Sequence, residues 1–271
     1  CDAPIKMGNN VPYNLRNRFG WQDKITSSVA DSKITLNPKA GFFGVVMAKT
    51  GSGKTRANAK LISALSNNKN LRFNVVLGMK TLTLQTYEEY KSELGFKDIV
   101  GVIGDNLSRK LHSYNNLLEE SIIEEGGMQV LGDTIYKGDI IPDYLDFKNK
   151  KDNKLKQIIE SPVVVSTIDY FINSIDTERS SKTRYLSRLM GSDLIIDEVD
   201  SFSHEQSTAI AKLVFVAGLY GRKVILSSAT MPNFLIQIYH KAYIEGWNIY
   251  SSLNGTSGED VYFGFYSHID S

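Results

Sequence analysis

Ala48-Lys49-Thr50-Gly51-Ser52-Gly53-Lys54-Thr55 follows the apolar run Phe42-Phe43-Gly44-Val45-Val46-Met47 and opens into a helix-compatible stretch, Arg56 to Leu65. Strand, glycine turn and helix in that order form the context of a phosphate-binding loop. The glycines let backbone N–H groups turn inward around an anion, and the helix aims its positive end at the same point. Lys54 then reaches the outer phosphates of a nucleoside triphosphate such as ATP, and Thr55 offers its hydroxyl to a magnesium ion, Mg2+. Gly51, Ser52, Gly53, Lys54 and Thr55 are therefore the nucleotide-binding candidates. Ala48 stands where the strict pattern has glycine.

Outward from this loop, short apolar runs alternate with helical patterns. Strands are expected at Phe42 to Met47, Phe73 to Leu77, Ile99 to Ile103, Val163 to Ser166, Leu194 to Ile196 and Val224 to Leu226. Helices are expected at Thr55 to Leu65, Leu82 to Leu94, Ile168 to Ile175, Glu205 to Leu219 and Asn233 to Glu245. Runs apolar at successive positions suit strands covered on both faces, so the fold class is α/β, a mainly parallel sheet with helices on both sides. From about 105 to 161 the apolar period weakens and Asn, Lys, Glu and Gly become frequent, which reads as an insertion. The basic run Lys148-Asn149-Lys150-Lys151-Asp152-Asn153-Lys154 within it has little aromatic text for stacking on bases and fits a solvated face.

A second motif, Asp193-Leu194-Ile195-Ile196-Asp197-Glu198-Val199-Asp200, is an apolar strand ending in acids. Carboxylates at the C-terminal end of a strand sit where α/β sheets bind ligands. Asp197 is the candidate to hold magnesium and Glu198 to orient and deprotonate the attacking water, so with Lys54 they form the candidate catalytic set, and Thr55 and Asp197 the metal set. A third stretch, Ser228-Ala229-Thr230, ends the next strand-like run. Its hydroxyls are candidates to couple the acidic cluster to a bound partner.

The 271 residues carry 31 Lys and Arg against 30 Asp and Glu, a net charge of +1 that neither demands nor excludes nucleic acid. No apolar run approaches the roughly 20 residues that cross a bilayer. With Cys1 as its one cysteine, the chain forms no internal disulfide and fits a reducing cytoplasm, and a start at Cys rather than Met reads as part of something longer.

The three motifs in this order resemble motifs I, II and III of superfamily 2 helicases. With Gly78-Met79-Lys80-Thr81-Leu82-Thr83-Leu84-Gln85-Thr86 and Val164-Val165-Ser166-Thr167-Ile168-Asp169, the chain is similar to the helicase portion of the type I-F CRISPR-associated helicase-nucleases, from about 18 to 246. The resemblance implies a first RecA-like ATPase domain at 41–246, an N-terminal segment at 1–40 bearing an adenine-recognition element, and a C-terminal extension at 247–271. It implies that Gln22 reads the adenine edge while Phe19 or Trp21 packs on the base, although Arg18-Phe19-Gly20-Trp21-Gln22 also fits an ordinary helix start. It further implies that Lys80, Thr81, Gln85 and Thr167 grip the backbone of single-stranded DNA. Each of these four taken singly also fits a cap or a solvated surface.

The implied partners are a second RecA-like domain, a nuclease domain and the CRISPR RNA-guided surveillance complex. No arginine follows Arg222, so an arginine finger for the γ-phosphate is expected from elsewhere, and only Met231 to Ser271 follows Thr230, against about 150 residues for a second domain. His112, His204, His240 and His268 are scattered, which fits no nuclease site. A restriction-type translocase or RNA helicase motor, and a nucleotide-gated interaction module, stay open beside this reading.

Overall fold

The apolar runs form the centre of one eight-stranded sheet. A computed structural model describes residues 13–30, 40–67, 70–104, 128–131, 156–175, 183–255 and 261–268. The strands are β1 (Gly41–Ala48), β2 (Phe73–Leu77), β3 (Ile99–Gly104), β4 (Met128–Leu131), β5 (Val163–Thr167), β6 (Asp193–Ile196), β7 (Val224–Ser228) and β8 (Val261–His268). They lie in the order β4-β3-β5-β2-β6-β7-β1-β8. All pairings are parallel except that of β3 with β4. The helices are α1 (Arg16–Phe19), α2 (Trp21–Ala30), α3 (Lys54–Leu65), α4 (Lys80–Glu88), α5 (Ile168–Ile175), α6 (Thr183–Met190), α7 (His204–Leu219) and α8 (Asn233–Asn254). None of the described helices is long and apolar enough to cross a membrane.

Two cores follow from the period of two along the buried strands. Phe42, Val46, Val75, Val163, Val165 and Ile195 face one layer, where α2, α3 and α4 contribute Ile25, Leu61 and Tyr87. Phe43, Val45, Val76, Val164, Leu194 and Ile196 face the other, where α5, α7 and α8 contribute Phe171, Leu213, Tyr243 and Trp247. Both faces are covered, which is why these strands carry no polar alternation.

The structure adds detail to three parts of the sequence outline. Helix α8 runs through the boundary drawn at 246 and buries Trp247 against the core, so the C-terminal extension begins inside a packed helix. Part of that extension is itself a strand, since β8 pairs with β1 from Gly41↔Val261 to Ala48↔His268. The segment read as an insertion supplies β4 to the sheet edge through the pairing Val102↔Val130. His112 and the basic run at 148–154 lie outside the described residues.

Buried charge holds the N-terminal ends of the strands. The fully buried Arg188 of α6 donates to Asn74 Oδ1 at 2.8 Å and to the carbonyls of Phe73 at 3.0 Å and Pro162 at 2.9 Å, and also bonds Ser161 O. Asn74 passes the network on, donating to Ser192 Oγ at 2.7 Å. Burial, then the neighbouring Arg72, push the Arg188 guanidinium pKa well below its ordinary value. Carbonyl dipoles on every side replace the water it has lost.

Candidate functional site

The glycine loop closes between β1 and α3. Gly51 and Gly53 have φ of 78° and 81°, the left-handed region where a Cβ is strained, and a Cβ on Gly53 would also meet Gln22 Nε2 at 2.3 Å. Ser52 pins the turn, its backbone N–H donating to Lys49 O at 3.1 Å and its hydroxyl at 2.6 Å. Lys54 and Thr55 thus open α3, where unpaired N–H groups and the helix dipole favour an anion.

Opposite them, β6 delivers the acids. Asp197 is buried and its Oδ1 accepts the Glu198 N–H at 3.0 Å. Burial, which disfavours the charged form, raises its carboxyl pKa to about 6, with the Ser227 side chain and the Lys54 ammonium pulling the other way. Glu198 has φ 52° and ψ 50°. The other described non-glycine residues at positive φ are Asn67 and Asn70, a residue type that tolerates this region; Glu198 holds it at a cost of about 1–2 kcal/mol. Its carboxylate forms an ion pair with Lys54 Nζ at 3.2 Å. Strain held at the end of a strand, with buried charge around it, marks this place as functional.

Between these walls lies a cleft of about 250 Å³, lined among others by Gly51, Gly53, Lys54, Thr55, Asp197 and Glu198. Helix α4 closes its third side with Leu82, Gln85 and Thr86, and the following residue of the lining is Glu89. The Glu89 carboxyl pKa is raised, chiefly by burial, with the Thr55 side chain pulling the other way. Sequence reading passed over Glu89, one of three glutamates within six residues.

The N-terminal element braces the loop. Gln22 is buried, and its Nε2 donates to Gly53 O at 3.1 Å and Ser52 O at 3.4 Å, leaving Oε1 without a partner. An unmatched buried acceptor beside a phosphate loop fits the exocyclic amine of adenine. Arg18 donates to Gly51 O at 3.0 Å while its guanidinium lies 5.0 Å from the centre of the Phe19 ring, and Trp21 Nε1 donates to Ser52 O at 3.2 Å. Trp21 is stacked on His268 of β8, with ring centres 5.3 Å apart and planes 8° from parallel. Of the two aromatic candidates, Trp21 thus has a ring partner in β8, and Phe19 has the Arg18 guanidinium against its ring.

Ser228 bridges the third motif and the acidic strand end. Its hydroxyl accepts the Asp200 N–H at 3.3 Å and donates to Thr230 O at 2.6 Å, so the third motif touches the acidic strand end directly. Thr230 enters this bridge through its carbonyl, with its side chain exposed. Of the remaining candidates, Lys80 is half-buried, Thr81 is exposed at the start of α4, and Gln85 stands on the cleft wall. Thr167 is 1% exposed, and its Oγ1 has no partner.

The donors suit magnesium. That ion takes oxygen ligands, keeps several waters and is bound through one or two carboxylates together with phosphates. The Thr55 hydroxyl and Asp197 carboxylate face one cleft beside the phosphate loop and make such a set.

The model of the family described as "Type III restriction enzyme, res subunit" matches residues 19–232. Two curated relatives named CRISPR-associated nuclease/helicase Cas3 subtype I-F/YPEST are similar over most of the chain. The one from Pseudomonas aeruginosa is 33% identical over 89% of this chain and 23% of its own length, and the one from Pectobacterium atrosepticum is 31% identical over 93% and 24%. The crystal structure of T. fusca Cas3-ADP shares the fold, with a TM-score of 0.61 at 17% identity over 91% of this chain and 24% of that one. The chain thus spans about a quarter of the length of these relatives. It belongs to the family of type III restriction enzyme res subunits, with a RecA-like helicase motor fold similar to that of T. fusca Cas3 and a sequence similar to those of the type I-F Cas3 nuclease/helicases.

Proposed function

We propose that this chain is the ATP-binding half of a motor that steps along single-stranded DNA, working with a second RecA-like domain and a nuclease domain in CRISPR interference. The observation that carries the reading is the ion pair of Lys54 with Glu198, at 3.2 Å across the cleft, with Asp197 beside it. In this arrangement Lys54 neutralises the acid until phosphate oxygens take its place. Lys54 then turns to the phosphates, and the released Glu198 carboxylate accepts a proton from the attacking water. Thr55 and Asp197 would hold a magnesium ion, which would supply positive charge beside the phosphates.

Gln22 and Phe19 bind the adenine, which favours ATP over nucleotides without an exocyclic amine at that edge. Asp200, bonded through its N–H to Ser228, carries any shift of the acidic strand end to the third motif. Lys80 and Thr81 lie at the N-terminus of α4, where backbone and side-chain donors suit DNA phosphates. Thr167 reaches DNA only after a local rearrangement exposes it. The motor acts on DNA delivered by an RNA-guided surveillance complex.

The test is ATP hydrolysis by the parent protein with and without single-stranded DNA. Stimulation that disappears in Lys54→Ala and in Glu198→Gln supports the reading; full activity in either variant overturns it. A second reading, a translocase of the restriction type on duplex DNA, is favoured by the family match. Stimulation by duplex DNA in place of single strands selects it, and stimulation by RNA alone selects an RNA helicase.

A further inference from the structure

We propose that Asp23 and Lys60 are positioning residues for base selection, their ion pair setting the angle at which the adenine-reading helix α2 lies on the phosphate-loop helix α3. The inference rests on the reading of Gln22 as the contact to adenine and adds to it a pair outside every motif.

Helix α2 buries Trp21, Ile25 and Val29 in the same core as Ala57 and Leu61 of α3. Apolar contact is non-directional, so this face alone leaves a helix of 10 residues free to turn or slide on its neighbour. At one end of α2, Trp21 Nε1 and Gln22 Nε2 donate to the carbonyls of Ser52 and Gly53. These bonds hold the helix to the loop at one place, about which it can pivot. The Lys60 ammonium bonds Asp23 Oδ1 from farther along α3, about 9 Å beyond Lys54 at the helical rise of about 1.5 Å per residue. Two separated anchors fix an angle where one does not.

The angle has little tolerance. A Cβ on Gly53 would meet Gln22 Nε2 at 2.3 Å and Phe19 Cδ1 at 3.4 Å, so α1 and α2 already lie hard against the loop. The Gln22 amide is planar, so the bonds of Nε2 to Gly53 O and Ser52 O set where Oε1, which has no partner, points. A turn of α2 moves both. The Lys60 side chain is 4% exposed and that of Asp23 23%. A lysine so deeply placed has lost its water and needs the carboxylate, whereas an apolar residue there would pack without that demand. Fixing register is the best-attested use of such a pair.

The experiment is competition of ATP, GTP and tripolyphosphate, each with magnesium, against mant-labelled ADP on the parent protein, with thermal melting of every variant. Asp23→Ala is expected to lower the preference for ATP over GTP by about three- to tenfold, the span for loss of the base hydrogen bond itself, and to leave tripolyphosphate affinity unchanged. Gln22→Ala added to Asp23→Ala is expected to cost no further preference, because both act on one contact. Asp23→Leu with Lys60→Met replaces the pair by apolar groups and is expected to regain melting temperature without regaining the preference. Wild-type preference in Asp23→Ala or in the apolar double variant, or a loss shared equally by ATP, GTP and tripolyphosphate, overturns the role of the pair while Gln22 stands. If Gln22→Ala alone keeps the wild-type preference, the reading of Gln22 falls and the role of the pair falls with it.

Discussion

The two ends of the same strands bury charge in opposite ways. At the N-terminal end Arg188 is matched by carbonyls and Asn74, and Asn74 in turn by Ser192. At the C-terminal end Asp197 is buried with its pKa raised to about 6, Glu198 is held at φ 52°, and Gln22 Oε1, Thr167 Oγ1 and Ser201 Oγ lack partners. A matched network of buried donors fixes the relation of strands to helix α6. An unmatched one stores unused hydrogen-bonding capacity at the place where a ligand is to enter. Unpartnered buried atoms also occur outside the cleft, on Asn58 of α3 and Trp247 of α8 among others, so the contrast rests on Asp197 and Glu198, where charge disfavoured by burial and a strained backbone line the cleft a ligand would enter.

Variants at each end should therefore fail differently. The largest effect expected is at Glu198: Glu198→Gln should lower ATP turnover by roughly 10²–10⁴-fold, the usual span for a lost general base, while nucleotide affinity stays or rises because Lys54 is released. Steady-state hydrolysis alongside equilibrium binding checks both halves. Next, Arg188→Met should cost about 3–5 kcal/mol in urea denaturation, since several buried acceptors lose their donor at once, with nucleotide affinity of the folded protein unchanged. Loss of affinity without loss of stability would erase the contrast between the ends. The smallest effect is at Gln22, where Gln22→Ala should lower the preference for ATP over GTP by about three- to tenfold in competition binding, the worth of one hydrogen bond. An unchanged preference would remove Gln22 from base recognition.

Most of the sheet was legible because buried parallel strands write themselves as unbroken apolar runs, such as Val163-Val164-Val165. The phosphate loop and Asp197-Glu198 were legible because their chemistry needs fixed residue types at fixed spacing. Strand β8 was not read, although Val261-Tyr262-Phe263-Gly264-Phe265-Tyr266 is rich in strand-forming residues. It is an edge strand with Phe263 and Phe265 about half exposed, and its pairing with β1 spans more than 200 residues of sequence. Arg188 lies on α6, a helix the sequence reading did not expect, and its role comes from strands over a hundred residues away. Glu89 is set apart from Glu88 and Glu93 by its place on the cleft wall, at the start of a π turn, Glu89–Glu93, that follows α4. The stacking of Trp21 on His268 was not legible either, since His268 lies in a strand the sequence did not reveal.

Asp197 tests the account most directly, because it is where binding and stability oppose each other. A carboxyl whose folded pKa rises from 3.8 to about 6 costs nothing below about pH 4, costs progressively more between pH 4 and 6, and costs the full amount above, on the order of 3 kcal/mol. Calorimetric melting of the wild type and Asp197→Asn at a series of pH values from 4 to 8, each with and without magnesium and ADP, measures both sides at once. The account predicts that Asp197→Asn melts several degrees higher without ligand, that this advantage shrinks as the pH falls from 6 to 4, and that the added stability from magnesium with ADP is lost. A lower melting temperature for the free variant, or wild-type stabilisation by magnesium with ADP, would contradict it.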